Sequence, residues 1–279
     1  MGLPASGSMF LPENIDLGHS DEYNLSIRLT PNGFSFYIYS PADPSIFHFQ
    51  ETSLGSKLSY LDHIKKVIFD LGFFSQAFNK TTVTTVSDQY TLVPDAFFDL
   101  KKVDELFRFN FHNPQGVVLS ESSSTGSWHV IFHIQEEMHA FLLRNLWNPV
   151  FCHQVTPLLQ LFEKEQQGVS TRSCFVDFHD NFATVICFAG DQLLSANTIP
   201  CLNPHDTTYF IASIWEKLHF SQTNDRLCLS GRVDREKAVI DILKKLIRRV
   251  EYIDLRPKVM LTETQRDSLP TDIQAVLCV

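Results

Sequence analysis

The stretch Tyr23-Asn24-Leu25-Ser26-Ile27-Arg28-Leu29-Thr30-Pro31-Asn32-Gly33-Phe34-Ser35-Phe36-Tyr37-Ile38-Tyr39 decides the reading of the fold. Leu25, Ile27 and Leu29 alternate with polar neighbours, as a half-buried strand requires. Pro31-Asn32-Gly33 is a turn signal. Phe34, Phe36 and Ile38 then resume the alternation. Ala42-Asp43-Pro44-Ser45 turns the chain again, and Ile46 to Phe49 reads as a third strand. Three consecutive antiparallel strands therefore open the ordered chain.

The same opening recurs 150 residues on. Cys174, Val176 and Phe178 alternate, Asp180-Asn181 turns, Phe182 to Phe188 forms a second strand, Gly190-Asp191 turns, and Leu193 to Ile199 forms a third. After the first opening come an amphipathic helix over 58–74, β-rich segments at 83–86 and 90–93, and a short helix. A hairpin at 116–122 and 128–134 follows, with a Ser-rich loop at 123–127 that reads as an ordinary exposed loop, though such loops on rigid scaffolds often contact partners. Then come a helix from Glu136 to Trp147, a short strand at 150–155 and a helix from Pro157 to about Gln167. After the second opening come a helix over 206–220, a strand at 226–230, a helix over 235–250 and a strand at 251–255. A meander followed by alternating α and β elements implies a mixed sheet with helices on its faces. The chain divides into a loose leader at 1–20, a first domain at 21–168 with an insertion near 95–135, and a second domain at 169–279 with a C-terminal tail. Two such halves would face each other across a cleft.

Composition narrows the function classes. Of 279 residues, 44% are apolar and 20% charged, which is globular, and 24 phenylalanines imply an aromatic-rich core. A net charge of −9 disfavours a nucleic-acid backbone as partner. Lys244, Lys245, Arg248 and Arg249 read as a solvated helix face. No apolar run approaches the ~18–20 residues of a membrane span, and Glu13 and Asp16 sit where a signal peptide would be apolar. A cytoplasmic location is expected. The six cysteines lack C-x-x-C spacing and fall mostly in apolar runs, so they read as buried free thiols.

The Leu25-Ser26-Ile27-Arg28 and Gly33-Phe34-Ser35-Phe36 pattern, with the order of elements over residues 23–256, resembles the actin/Hsp70/sugar-kinase superfamily, whose halves are ribonuclease-H-like domains. It is similar in particular to a family found mainly in Bacteroidetes with the actin-like ATPase fold. Leu92-Val93-Pro94-Asp95-Ala96-Phe97-Phe98 looks like a Val-Pro-Ala-x-Phe fold marker of Hsp70-like chains. The resemblance implies an α/β chain of two ribonuclease-H-like domains, each a mixed sheet opening on a three-strand antiparallel meander.

It also implies two phosphate loops and an adenosine-binding glycine pair, and each is altered. In the first loop Thr30 and Gly33 remain, but Arg28 stands where an acid is expected. A guanidinium there would repel the Mg²⁺ that a carboxylate would orient. In the second, Asp177 keeps the acid, while His179, Asp180 and Asn181 replace glycines whose backbone N–H groups would approach phosphate. Asp180-Asn181 also reads simply as a tight turn with positive φ. In Leu227-Cys228-Leu229-Ser230-Gly231-Arg232, one glycine survives and Ser230 replaces the other.

The leading expectation is a non-catalytic scaffold or assembly factor that contacts another protein and needs no cofactor. The alternative is a nucleotide-binding protein or weak ATPase using ATP–Mg²⁺ through Asp177, Asn181 and Gly231. A third reading, a metal nuclease, would gather Asp177 with Asp225 or Asp234. His129 and His133, four apart on one strand face with His139 nearby, could share a metal or simply be hydrogen-bonded. No G-x-S-x-G, P-loop or G-x-G-x-x-G occurs. A cleft closed by Phe side chains, or by Arg28 paired to Asp177, would mark a dead site.

Overall fold

A computed structural model describes residues 11–31, 33–53, 58–112, 114–124 and 126–278. Residues 1–10 of the leader, Asn32 of the first turn and Thr125 of the Ser-rich loop lie outside them.

Two five-stranded sheets carry the two halves. The first contains β1 (Asn24–Thr30), β2 (Gly33–Tyr39), β3 (Phe47–Ser53), β4 (Lys80–Thr85) and β8 (Val150–His153) in the order β3-β2-β1-β4-β8. The second contains β9 (Arg172–Phe178), β10 (Phe182–Ala189), β11 (Gln192–Pro200), β12 (Arg226–Gly231) and β13 (Arg249–Tyr252) in the order β11-β10-β9-β12-β13. In both sheets the meander is antiparallel and the later strands add in parallel to the first strand. The chain is thus a mixed α/β protein with the repeat its sequence announces.

Central strands β1, β2, β9 and β10 are buried almost throughout, because helices cover them. In the first half α1 (Tyr60–Asp70) starts at Ser59, whose hydroxyl accepts the Asp62 N–H at 3.1 Å. It lays Ile64, Val67 and Ile68 on the core that holds Phe34, Phe36 and Phe73. In the second half Asn203 caps α5 (Pro204–Lys217), accepting the Asp206 N–H at 2.9 Å, with Pro204 at the first position. Ile211 and Trp215 of α5 join Val239, Ile240 and Leu243 of α6 (Lys237–Leu246) over β9, β10 and β12.

Three features depart from the sequence expectations. From residue 11 the leader is built into the protein: Ile15 is buried, Leu11 and Leu17 pack on the first core, and a 3-10 turn spans Leu17–Glu22. The insertion is a sheet of its own, recruiting β5 (Tyr90–Pro94) beside β7 (Trp128–Ile134) and β6 (Val117–Ser122), with α2 (Val103–Asn110) against it. The C-terminal tail is two helices, α7 (Glu263–Ser268) and α8 (Thr271–Cys278).

Helix α8 completes the repeat. It follows the second sheet's edge strand as α4 (Val155–Gln166) follows the first sheet's, and the two helices pack together. Leu269, Ile273 and Leu277 reach back to Tyr37 and Phe47 of the first half. Ala275 and Cys278 join Val155, Leu158 and Phe162 beneath the second sheet. The Met260 N–H donates to the Pro44 carbonyl, at 2.8 Å, tying the return segment to the first meander.

Candidate functional site

Arg28 lies near the C-terminal end of β1, between Ser35 of β2 and Thr84 of β4. The residue is 5% exposed and its side chain points to α8, where Nε donates to Asp272 Oδ2 at 2.7 Å and Nη2 to Oδ1 at 3.0 Å. Burial alone would lower the pKa of this guanidinium, but the Asp272 carboxylate outweighs it and the net direction is up. A planar fork on a carboxylate is the geometry that lets such a pair survive desolvation. Arg28 therefore pairs with Asp272, not with Asp177.

Asp177 sits at the corresponding end of β9 and is 1% exposed. Ser230, its neighbour in register on β12, donates its hydroxyl to Oδ1 at 2.7 Å. His179 Nε2 lies 3.2 Å from Oδ2 and Thr271 of α8 faces the same carboxylate. Burial pushes the Asp177 carboxyl above its usual range and the His179 imidazole below its own, so both charges are disfavoured. The His179 ring stacks on Phe182 at 4.4 Å.

The second hairpin turn differs from the expected positive-φ pair. Among the described residues only Asn148 and His219 are non-glycine residues with positive φ, so neither Asp180 nor Asn181 is in the left-handed region. Partners outside the turn hold it instead. Asp180 Oδ1 takes Arg235 Nη1 at 2.8 Å, with Arg232 Nε at 3.7 Å, and the Asn181 carbonyl accepts the Cys201 N–H at 2.9 Å.

Gly231 has φ +78°, and a Cβ added there would lie 2.2 Å from the Phe178 carbonyl oxygen. Close approach of β12 to β9, with the Arg232 N–H donating to that carbonyl at 2.9 Å, demands the glycine.

Thr30, Asp177, His179, Asp180, Asn181, Ser230 and Gly231 line one cavity of about 1220 Å³ between the halves, together with Arg28 and Asp272. Gly33 is set back: its carbonyl accepts the Thr30 hydroxyl at 2.8 Å and the Tyr60 hydroxyl at 3.2 Å. Sequence reading missed Thr271 and Asp272, though signals were present. Thr262 and Gln265 form a capping box, and Pro270 precedes the acid-bearing first turn of α8.

The actin-like fold implies Mg²⁺-nucleotide, and the residues present do not fit it in the familial way. The first-loop position holds a guanidinium already paired to Asp272, the Asp177 carboxylate is occupied by Ser230 and His179, and Asp180 would face the phosphates. Of the other groupings, Asp177 with Asp225 and the His129–His133 pair are separated, whereas Asp177 and Asp234 share the cavity. Asp225 precedes β12 and accepts the Arg172 and Ser221 N–H groups, five positions or ~17 Å along the strand from Ser230. His129 binds Asp95 and Ser122 and stacks on Phe98, while His133 lies against Phe107.

Comparison with solved structures agrees with this architecture. A Bacteroides thetaiotaomicron protein with an actin-like ATPase fold and unknown function superposes with a TM-score of 0.83. It is 26% identical, over 95% of this chain and 99% of that one. A chain of the PilM-PilN type IV pilus biogenesis complex superposes with a TM-score of 0.60 at 12% identity, over 91% of this chain and 97% of that one. No curated protein matches the chain. The fold is the actin-like ATPase fold, and a family model matching residues 12–250 places the chain in the family described as "Protein of unknown function (DUF3822)".

Proposed function

We propose that this protein is a non-catalytic member of the actin-like fold that acts in the cytoplasm as a scaffold or assembly factor for another protein. The observation that carries the reading is the buried Arg28–Asp272 pair at the floor of the interlobe cavity. Where the fold's catalysts place a metal-orienting acid, this chain places a cation neutralised by Asp272 of α8. Releasing Arg28 to admit Mg²⁺ would leave Asp272 buried and unpaired, which is costly.

Two further features support the reading, one the contacts and the other the location. Phe97, Leu100 and Phe109 of the insertion are each more than 70% exposed and offer a partner apolar surface to bury. The six cysteines are free, as suits a reducing compartment.

The test is thermal melting with millimolar ATP–Mg²⁺ and ADP–Mg²⁺. A ligand of the folded state raises the melting temperature. The expected outcome is no change with either nucleotide. A rise of several degrees that Asp177→Ala abolishes would overturn the reading in favour of a nucleotide-binding protein.

A further inference from the structure

A second groove, of about 800 Å³, runs between the inserted sheet and the second half. Its walls are two strands, β5 and β11, and each is the last strand of its sheet among the described residues. A pocket lying over one face of a strand is lined by alternate residues, because successive side chains point to opposite faces. Here consecutive residues line it, Leu193 through Thr198 on β11 and Tyr90 through Leu92 on β5. The groove therefore follows the strand edges, where the backbone offers N–H and C=O groups for pairing.

Its chemistry is specific. The floor is apolar, with Leu92, Leu193 and Ala196 packed against the Tyr90 and Trp128 cluster. Three buried hydroxyls in it form no well-made hydrogen bond: that of Ser195, and those of Tyr90 and Thr198, which neighbour each other. Tyr90 is itself only 8% exposed. Three carboxylates, Asp88, Glu163 and Asp191, line the groove, and among the described residues no Lys, Arg or His does.

We infer that this groove binds an extended segment of a partner protein, added as a strand along the β11 edge and carrying Lys or Arg side chains toward Asp88 and Asp191. Six residues of β11 line the groove, a length of ~20 Å, which sets the segment at about six residues. Backbone pairing supplies affinity, the apolar floor takes alternate side chains, and the acidic lining selects basic ones. The inference rests on the scaffold reading above and names the chemistry of its partner.

The experiment uses the full chain and two capped hexapeptides, one alternating Val and Lys, the other alternating Val and Glu. Hydrogen exchange of the backbone amides is the readout. The Val/Lys peptide is expected to protect amides within 192–200, the Val/Glu peptide to protect none, and Asp88→Asn with Asp191→Asn to weaken the former roughly fivefold. No protection of β11 by the Val/Lys peptide at millimolar concentration overturns the inference, as does equal protection by both peptides. Protection by ATP–Mg²⁺ at Asp177 and Gly231 would instead overturn the scaffold reading and leave the β11 result to stand on its own.

Discussion

The Arg28 guanidinium and the Asp272 carboxylate, 244 positions apart in sequence, form a bidentate pair shielded from water. It joins β1 to α8. Removing one partner strands a buried charge, whereas replacing both by apolar residues of similar size does not. Asp272→Ala is expected to cost about 3–5 kcal/mol, and Arg28→Met combined with Asp272→Leu much less. Urea midpoints at unchanged slope measure both. Equal midpoints for the single variant and the parent would show that the pair holds nothing.

Glu121 of β6 and His153 of β8 make opposite pH limbs. Burial raises the Glu121 carboxyl to about 7, against hydrogen bonds from the Thr156 hydroxyl and the His153 N–H. Burial lowers His153 to about 3. The raised acid adds stability below the unfolded value of about 4.5 that is lost as pH rises to 7. The depressed imidazole adds stability present above 6.5 that is lost as pH falls toward 3. Between pH 4.5 and 6.5 the two oppose. Glu121→Gln should unmask the His153 limb, so the variant loses stability on acidification through this range more steeply than the parent. Parallel stability–pH curves would refute the assignment.

Gly231 and Gly72 are matched in φ, at +78° and +73°, but not in surroundings. A Cβ at Gly72 meets nothing within 4 Å, so Gly72→Ala should cost only the left-handed backbone, about 1 kcal/mol. At Gly231 the Cβ collides with the Phe178 backbone, so Gly231→Ala should cost more than about 3 kcal/mol. Thermal melts of the two variants side by side give the comparison, and similar losses would mean that β12 can retreat from β9.

Ile273 of α8 is 1% exposed against Tyr37, Phe47 and Leu269. Ile273→Ala is expected to destabilise by about 2–5 kcal/mol, as for other buried large-to-small changes. If α8 were a dispensable tail, denaturant midpoints would not move.

Most of the fold was legible because its signals are local. Period-two runs such as Leu25, Ile27, Leu29 and the Pro31 and Asp180 turns locate both meanders without knowledge of the rest of the chain. The third sheet was not, because β5 looks in sequence like any β-rich segment and its pairing with β7 is settled by tertiary contact. Of the site, the cavity wall from Thr30 to Gly231 was visible by its position in the repeat. The partner of Arg28 was not. Only Asp272's placement on a helix that folds back across the molecule makes it the nearest carboxylate, and nothing in the local sequence encodes that return. The same holds for the partners of the turn at Asp180-Asn181, since Arg235 and Cys201 lie outside it in the sequence.

The return of α8 also sets the order of assembly. The apolar cluster that begins with Tyr37 closes only with Ile273 and Leu277, so the first meander emerges from synthesis with one surface still open. That surface must wait through some 240 further residues for its cover. Contacts of such long sequence separation make folding slow, and exposed apolar strands make the waiting chain prone to aggregate. For this protein the vulnerable interval lasts until α8 is in place, and that helix acts as the latch that ends it.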